Sequence, residues 1–458
     1  MTPNPMFVYD KDMTDLIFGY CRDRLALDPV PLDRGGATGP LSAVLEGLMG
    51  PSGNDPARVF GLFREKLAKA VVSCDSPRFL SFIPAAPTKA SLLFDMVVSC
   101  SSLQGTSWLE AAGAVAAENQ ALGVLARLAG LPAGAGGCFV SGGSMGNLSA
   151  LVVARDTAGQ RLGATVPARP RMAISEEAHS SVGNALRIIG VEPLLVPSRD
   201  HRLTGDALRR ALHDDPAGSD VVAVVATAGT TNAGIIDDLA GVGAVCQERS
   251  LWFHVDAAYG GAALFSPSVR DRFAGLELVD SFIVDPHKWL FAPFDCAALL
   301  YREPALAKAV HSQHASYLDV LREDITGDED PPWNPSDYAF HLTRRARGLP
   351  LWFSLAVNGT DAYRDAVDAA LRIAAEAAAL IGATPHVELV RQPELSIVLF
   401  ERPGWGHDDY LAWSQRLMTT ETAFVTPTSW EGRPVGRLAF LHPDTTLDMV
   451  AEILGAMA

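Results

Sequence analysis

The segment VVAVVA at residues 221–226 most constrains the fold, because it contains only apolar residues and most of them are β-branched. A strand of this kind is buried on both faces, as the strands of a parallel sheet are. Helical and strand-like patterns alternate around it, and one alanine- and leucine-rich helix is predicted over residues 110–131. This alternation predicts an α/β fold with a mainly parallel sheet flanked by helices. Its ligand is expected at the carboxyl ends of the strands.

The chain of 458 residues is too long for one core, because single hydrophobic cores stop growing at roughly 250–300 residues. We predict three units: a helical arm over residues 1–87, a large α/β domain over residues 88–350 and a small α+β domain over residues 351–458. The last unit is inferred from an alanine-rich helix that is followed by strand candidates at residues 395–400 and 436–441.

The composition restricts the partners of the chain. A formal net charge of −16 disfavours nucleic acids and anionic membrane surfaces, which attract basic proteins. No apolar stretch reaches the ~18 residues that a membrane-spanning helix needs, and the acidic N-terminal segment does not resemble a signal peptide. The six cysteines are scattered without a CxxC pair, which predicts buried free thiols and no metal site. We therefore expect a cytoplasmic protein.

A lone lysine, Lys288, stands in the segment SFIVDPHKW at residues 281–289, after an apolar strand pattern and a proline. Burial at a strand end is expected to lower the pKa of this lysine and to free its amine as a nucleophile. A second apolar strand pattern, LWFHVD at residues 251–256, ends in Asp256. A pyridoxal phosphate site needs such an amine for the Schiff base and such a carboxylate for the pyridine nitrogen. Taken singly, each residue could equally be a surface lysine or a helix cap.

A glycine turn follows a further strand pattern in the segment CFVSGGS at residues 138–144 and leads into a helix. Glycines let the backbone approach an anion, and the N-terminus of a helix offers free N–H groups and a favourable dipole. On its own this turn would more often be structural. Beside Lys288 and Asp256 it predicts a phosphate site at Gly142, Gly143 and Ser144.

Several of these motifs together resemble one family. The segments PHKWL at residues 286–290, FDC at 294–296 and HVDAAY at 254–259 are similar to signatures of the pyridoxal-phosphate group II decarboxylases, in particular the aromatic L-amino-acid decarboxylases. The resemblance extends from SPRF at residues 76–79 to FLHPDTT at 440–446. It implies the fold type I architecture of pyridoxal phosphate-dependent transferases, pyridoxal 5'-phosphate as cofactor, and a homodimer with shared active sites in which the N-terminal arm packs on the partner.

The resemblance also implies roles for individual residues. His179, in the segment AHSSV, would stack on the pyridine ring, although a histidine here could also simply begin a helix. Ala258 would cover the opposite ring face, Thr227 would lie near the cofactor at a strand end, and His287 would orient the phosphate or the substrate carboxylate. The implied cofactor-binding set is Gly142, Gly143, Ser144, His179, Thr227, Asp256, Ala258, Asp285, His287 and Lys288.

The expected substrate pocket departs from the family. Phe82 and Pro84 keep it largely apolar, but Thr106 stands before Trp108 where the relatives usually carry an aromatic residue. The threonine makes the pocket roomier or more polar. Arg347, in the basic cluster TRRAR, is a candidate for binding the substrate carboxylate, and a salt-bridge role is an equal alternative.

A further departure concerns the proton donor. Relatives carry a tyrosine in a mobile loop that is thought to reprotonate Cα, and the corresponding position here is about Pro335. Tyr338 is the predicted catalytic replacement, and Tyr317 is a second candidate. The preceding acidic segment REDITGDEDPP, residues 322–332, is predicted to be a mobile loop because it cannot bury apolar surface.

We therefore predict an enzyme that decarboxylates an L-amino acid, with an aromatic or other apolar side chain favoured. The reaction would pass through a Schiff base on Lys288 and a quinonoid intermediate. The catalytic set would be Lys288, His179, Asp256 and Tyr338. Without a proton donor the outcome could instead be oxidative deamination to an aldehyde, or another lyase or transamination step. A non-catalytic structural or regulatory protein is the alternative of another class.

Overall fold

A computed structural model describes residues 4–84, 86–163, 167–321 and 333–458. Its strands form a seven-stranded and a four-stranded sheet. The strands are β1 (Gly136–Val140), β2 (Arg171–Ser175), β3 (Glu192–Val196), β4 (Val221–Thr227), β5 (Trp252–Asp256), β6 (Ser281–Val284), β7 (Ala297–Tyr301), β8 (Glu388–Leu389), β9 (Ile397–Glu401), β10 (Thr428–Trp430) and β11 (Arg433–Ala439).

Most of the helices flank these sheets or connect their strands, and the first three belong to the N-terminal segment. They are α1 (Lys11–Leu25), α2 (Thr38–Leu45), α3 (Pro56–Leu62), α4 (Lys89–Cys100), α5 (Trp108–Leu128), α6 (Gly143–Asp156), α7 (Ala158–Leu162), α8 (Ser180–Ile189), α9 (Gly205–Asp214), α10 (Leu239–Arg249), α11 (Pro286–Trp289), α12 (Pro304–His311), α13 (Leu349–Ala383), α14 (His407–Thr419) and α15 (Leu447–Gly455).

The large sheet has the strand order β1-β7-β6-β5-β4-β2-β3. Its strands pair in parallel except for β7, which runs antiparallel to both of its neighbours. Every residue of β4, β5, β6 and β7 is buried, which explains their uninterrupted apolar patterns. The predicted α/β class with a mainly parallel sheet is confirmed, and the carboxyl ends of its parallel strands meet at one edge.

The smaller, antiparallel sheet contains strands close to the two candidates predicted from the sequence. It packs with α14, α15 and part of α13 around a separate cluster that includes Trp413, Phe400 and Tyr410. The long helix α13 is interrupted at Gly359, where φ is +75°, a conformation that favours glycine. Since α13 begins at Leu349 and contributes residues to the cores of both sheets, the unit boundary at residue 350 stays a prediction.

The N-terminal helices lie outside these cores. Within the described chain, α1, α2 and α3 contain no buried residue, although Tyr20 packs edge-on against Phe60 and Phe63. No described helix is both long and apolar enough to cross a membrane. All six cysteines are free; Cys138, Cys246 and Cys296 are buried, whereas Cys100 is exposed, which differs from the expectation of burial. The predicted mobile loop at residues 322–332 lies outside the described residues.

Candidate active site

The candidate site is a cavity of about 390 Å³ at the carboxyl edge of the large sheet. Strands β1, β4, β5 and β6 all end beside it, because parallel strands carry their C-terminal residues to the same edge. A larger cleft, of about 610 Å³, lies at the opposite edge of the sheet, away from Lys288. The residues of the smaller cavity are Ser141, Gly142, Gly143, Ser144, Asn147, His179, Ser181, Thr227, Gly229, Thr231, Asp256, Ala258, Tyr259, Asp285, His287, Lys288, Phe294 and Asp295.

Lys288 reaches this cavity from the short helix α11, which Pro286 begins directly after β6. Its Nζ lies 3.1 Å from Oδ2 of Asp285. Burial alone would lower the pKa of Lys288, but the charges of Asp285 and Asp256 outweigh burial and hold the pKa above its ordinary value. The expectation of a lowered pKa is therefore wrong for the chain by itself, and Lys288 is a protonated cation held by Asp285.

Asp256 ends β5 and is 5% exposed. One carboxylate oxygen accepts a hydrogen bond from Asn147 Nδ2 at 2.8 Å, and the other accepts from the backbone N–H of Ala258 at 3.1 Å. These two donors fix the orientation of the carboxylate. Asp256 therefore presents a fixed negative charge on the cavity wall.

The glycine turn lies where β1 passes into α6. Gly142 precedes the helix and has no side chain to cap it, so the first N–H groups of α6 face the cavity region. The backbone N–H of Gly143 donates to Asp285 Oδ2 at 3.2 Å, and a Cβ atom at Gly143 would lie only 2.9 Å from that oxygen. The close approach explains why glycine is required at this position.

Two histidines border the cavity. His179 precedes α8 and is exposed, and its Nδ1 lies 2.8 Å from Ser181 Oγ. His287 is mostly buried, which lowers its pKa although Asp285 opposes the shift. The backbone N–H of Cys296 donates to His287 Nδ1 at 3.0 Å. His179 thus leaves its ring available in the cavity, while His287 is held in the wall.

The comparisons with known proteins agree with this geometry. Residues 48–402 match the pyridoxal-dependent decarboxylase conserved domain. The chain belongs to this family. The aromatic-L-amino-acid decarboxylase of Bacillus atrophaeus is 29% identical over 415 residues, covering 88% of this chain and 85% of that protein. The L-2,4-diaminobutyrate decarboxylase of Rhizobium meliloti is 32% identical over 377 residues, covering 80% and 74% respectively.

The fold is shared with a solved structure as well. The crystal structure of Oryza sativa TDC with PLP and tryptamine superposes with a TM-score of 0.88 at 24% identity, covering 100% of this chain and 99% of that one. The family match and the curated relatives show that the chain is a pyridoxal phosphate-dependent decarboxylase that acts on amino acids. The predictions of family, enzyme class and cofactor are confirmed.

The cavity of this decarboxylase fits the cofactor. Thr227 Oγ1 and Asp285 Oδ1 are buried and have no hydrogen-bond partner among the described residues, so both are free for a polar ligand. Every residue of the predicted cofactor-binding set lines the cavity. Lys288 would hold pyridoxal phosphate covalently, Asp256 would face its ring nitrogen, and the N-terminus of α6 would receive its phosphate.

The predicted substrate residues are more dispersed. Arg347 is ion-paired with Asp295, which lines the cavity. Thr106 is buried beneath the neighbouring chain segment, where its carbonyl accepts from the N–H of Ser336, and neither it nor Trp108 lines the cavity. Phe82 is 61% exposed and Pro84 is buried, and both also lie outside the cavity wall.

Tyr338 does not join the other catalytic candidates. Its ring stacks on Trp333 with a centroid distance of 4.3 Å, it is 4% exposed, and it is absent from the cavity wall. Because this packing buries the ring away from the cavity wall, Tyr338 does not face a ligand in the cavity in this conformation. The alternative, Tyr317, is 70% exposed.

The structure adds residues that the sequence reasoning did not single out. Asn147 and His254 are buried polar side chains that contact Asp256 directly or through one another. Each could have been noticed, since Asn147 interrupts a helix face of small residues and His254 interrupts an apolar strand pattern. Arg437 on β11 also interrupts an apolar strand pattern, but its position behind the cavity follows only from the fold, which joins it to the Thr231 carbonyl.

Proposed function

We propose that this enzyme decarboxylates an L-amino acid with an aromatic or other apolar side chain and releases the amine. The observation that carries the proposal is a buried guanidinium beside the cavity, that of Arg437, which has no carboxylate partner among the described residues. A substrate carboxylate would supply the missing charge. The relatives act, by name, on aromatic amino acids or on L-2,4-diaminobutyrate, so the side chain is the open question.

Arg437 is 6% exposed and donates to three backbone carbonyls: to Thr231 at 2.7 Å, to Phe82 at 3.1 Å and to Asn232 at 3.3 Å. Two of its five N–H groups have no acceptor among the described residues and are available to a ligand. Burial lowers the pKa of Arg437 to about 10, and no described carboxylate forms an ion pair with it. The Thr231 carbonyl that accepts from Arg437 belongs to a residue of the cavity lining, so the guanidinium lies behind the wall, although Arg437 itself does not line the cavity. Arg437 is therefore a better candidate for the substrate carboxylate than Arg347, which already has a partner.

The proposed preference for an apolar side chain rests on the outer part of the cavity. Phe294 lines it and is 55% exposed, and the exposed Phe82 is tied to the Arg437 site through its carbonyl. Asp295, which lines the cavity next to Phe294, is ion-paired with Arg347. Its charge is thereby compensated, which weakens any attraction for a cationic side chain.

The other residues of the site would bind the cofactor, orient the substrate and hold charge. Bound pyridoxal phosphate supplies an electron sink. Asp256 holds a negative charge at the ring nitrogen, and Arg437 orients the carboxylate that leaves as carbon dioxide. Asp285 holds Lys288 Nζ as a cation, and this ion pair would have to open for Lys288 to hold pyridoxal phosphate covalently. Since Gly143 N–H also binds Asp285, a phosphate arriving at the turn would compete for the same donor.

The fate of the product depends on the proton donor, for which we favour Tyr317 over the buried Tyr338. A second outcome, favoured by the absence of Tyr338 from the cavity lining, is oxidation by molecular oxygen. It would consume oxygen and water and yield the aldehyde, carbon dioxide, ammonia and hydrogen peroxide. Tyr317→Phe should shift product from amine to aldehyde and peroxide, while Tyr338→Phe should leave the ratio unchanged.

We also propose that the enzyme is a homodimer. In the described chain the arm exposes Phe7, Tyr9, Ile17 and Phe18, and its three helices bury nothing. A second copy that covers these side chains would remove the exposed apolar surface from water.

The decisive experiment supplies a panel of L-amino acids to the purified holoenzyme and measures carbon dioxide and product mass, with and without oxygen. The proposal expects L-phenylalanine, L-tyrosine or L-tryptophan to give the highest kcat/KM, with the amine as product. Arg437→Met should raise KM for the best substrate by at least about tenfold, the loss of a charged hydrogen bond. Arg347→Met serves as the matched control. Preference for L-2,4-diaminobutyrate would contradict the proposed substrate class.

A further inference from the structure

A line of buried polar side chains runs behind the active site, from β5 and β6 to α6. It consists of Trp252, Ser281, His254 and Asn147, and each of them is at most 1% exposed. Only Asn147 reaches the cavity wall. Polar groups at this depth are costly unless they are fully hydrogen-bonded, so the direction of each bond can be worked out from what each group can donate.

The direction of the line is fixed at its end by Asp256. An ionised carboxylate can only accept, so the atom of Asn147 that lies 2.8 Å from it must be Nδ2. The amide oxygen of Asn147 therefore faces the other way, 2.9 Å from His254 Nε2, which must donate. The second hydrogen of Asn147 Nδ2 points to Ser181 Oγ at 3.0 Å.

The other end is fixed by Trp252, whose indole N–H can only donate. It donates to Ser281 Oγ at 2.8 Å. The hydroxyl of Ser281 then directs its own hydrogen to His254 Nδ1, also at 2.8 Å. Burial lowers the pKa of His254 to about 4, so the ring is neutral with its hydrogen on Nε2. Every donor thus points from Trp252 towards Asp256.

A branch of the same line reaches His179. Since Ser181 Oγ accepts from Asn147, its hydroxyl hydrogen is free for His179 Nδ1 at 2.8 Å. The backbone N–H of Ser181 donates to the same nitrogen at 3.2 Å. Nδ1 is therefore an acceptor, and a neutral His179 ring carries its hydrogen on Nε2.

We propose that Asn147 is the positioning residue of this active site, held in place by His254. It fixes one oxygen of Asp256 towards the ring nitrogen of the cofactor and, through Ser181, selects the His179 tautomer that offers Nε2–H to the cavity. The proposal rests on the proposed function in one respect, that bound pyridoxal phosphate places its ring nitrogen at Asp256.

The competing explanation is that Asn147 and His254 only satisfy one another in the core. The two explanations differ in which ligands should bind more weakly when the line is broken. A structural defect would weaken the binding of any ligand of this shape. A misplaced Asp256 would weaken only ligands that carry the ring nitrogen.

The experiment therefore compares the affinities of the apoenzyme for pyridoxal phosphate and for its 1-deaza analogue, in which carbon replaces the ring nitrogen. Asn147→Ala should reduce the preference for pyridoxal phosphate over the analogue by about tenfold, as expected for the loss of a hydrogen bond to a charged group. His254→Leu removes the donor to Asn147 and should act in the same direction. His254→Gln keeps an N–H donor and should restore most of the preference.

Thr157→Val is the matched control, because Thr157 is a buried residue directly after α6 whose hydroxyl donates to the Val153 carbonyl and does not contact the Asn147 line. Equal losses for both ligands in Asn147→Ala, or no difference between His254→Leu and His254→Gln, would overturn the proposal. A wild-type enzyme that binds both ligands equally would instead refute the contact between Asp256 and the ring nitrogen. If Asn147→Ala does not fold, the two His254 variants decide the question.

Discussion

The charge on Lys288 shows how single residues in this site depend on their neighbours. Burial and the adjacent carboxylates act on its pKa in opposite directions, and the carboxylates of Asp285 and Asp256 prevail. The Lys288 amine is thus held as a cation in an ion pair with Asp285, and it can act as a nucleophile only when this pair opens. Asp256 serves a different purpose, since its two oxygens are already oriented by Asn147 and by the backbone of Ala258.

The substitution Asp256→Asn tests this role at the residue scale. An amide keeps the shape but can accept from only one of the two N–H groups, and it cannot hold a proton on the ring nitrogen. We expect kcat to fall on the order of 10²–10³-fold, as when a preorganised electrostatic partner is lost. Cofactor should still bind, because Lys288 and the glycine turn are unchanged. Near-normal turnover of a cofactor-loaded variant would refute the assignment.

The elements around the site differ in how far the sequence predicts them. Strands β4 and β5 follow from their apolar patterns, and the placement of Lys288 and Asp256 at one edge follows from parallel pairing. The antiparallel direction of β7 does not follow, because its apolar pattern would fit either direction. The position of Arg437 behind the cavity wall and the burial of Tyr338 depend on contacts between segments that are distant in the chain. Local sequence patterns do not predict such contacts.

The segment that carries Arg347 is held to α5 by a buried ion pair. Arg344 and Glu118 are 1% and 2% exposed, and two hydrogen bonds of 2.6 and 2.8 Å join them. Glu118 also accepts from the N–H of Gly348 at 2.8 Å. This pair anchors the turn between the acidic segment and α13, and so it places Arg347 at the cavity.

We expect Glu118→Ala to lower the free energy of unfolding by about 3–5 kcal/mol, because it leaves the Arg344 charge buried and unpaired. Denaturant unfolding measures the change. The matched control is Glu248→Ala, which breaks the exposed pair with Arg209 and should cost no more than about 1 kcal/mol. Similar losses for the two variants would show that the buried pair does not anchor this segment.

At the scale of the whole molecule, the N-terminal arm is the exposed part: its described helices α1, α2 and α3 contain no buried residue. Ile17→Asp combined with Phe18→Asp places two charges on the exposed face of α1. If this face is covered by a second copy, sedimentation should show monomers where the wild-type enzyme is dimeric, with little change in secondary structure. A wild-type monomer, or an unaffected dimer, would contradict the proposed use of the arm.

Buried histidines should make the stability of the whole molecule depend on pH. Burial, reinforced by neighbouring cations, lowers the pKa of His341 to about 4 from an ordinary value of 6.5, and burial lowers that of His254 to about 4. Unfolding restores the ordinary pKa, so protons are taken up on unfolding and stability falls as the pH drops from 6.5 towards 4. His341→Gln keeps an N–H donor for the Pro335 carbonyl and should flatten this dependence by up to about 1.4 kcal/mol per pH unit. An unchanged slope would refute a neutral His341.

We expect the carboxyl edge of the large sheet to hold pyridoxal phosphate on Lys288. Reduction of the holoenzyme with borohydride, followed by peptide mass mapping, locates the lysine that carries the cofactor. We predict a single phosphopyridoxyl group, on Lys288, and the loss of both this adduct and the yellow absorbance in Lys288→Ala. The adduct on any of the other five lysines, Lys11, Lys66, Lys69, Lys89 or Lys308, would contradict it.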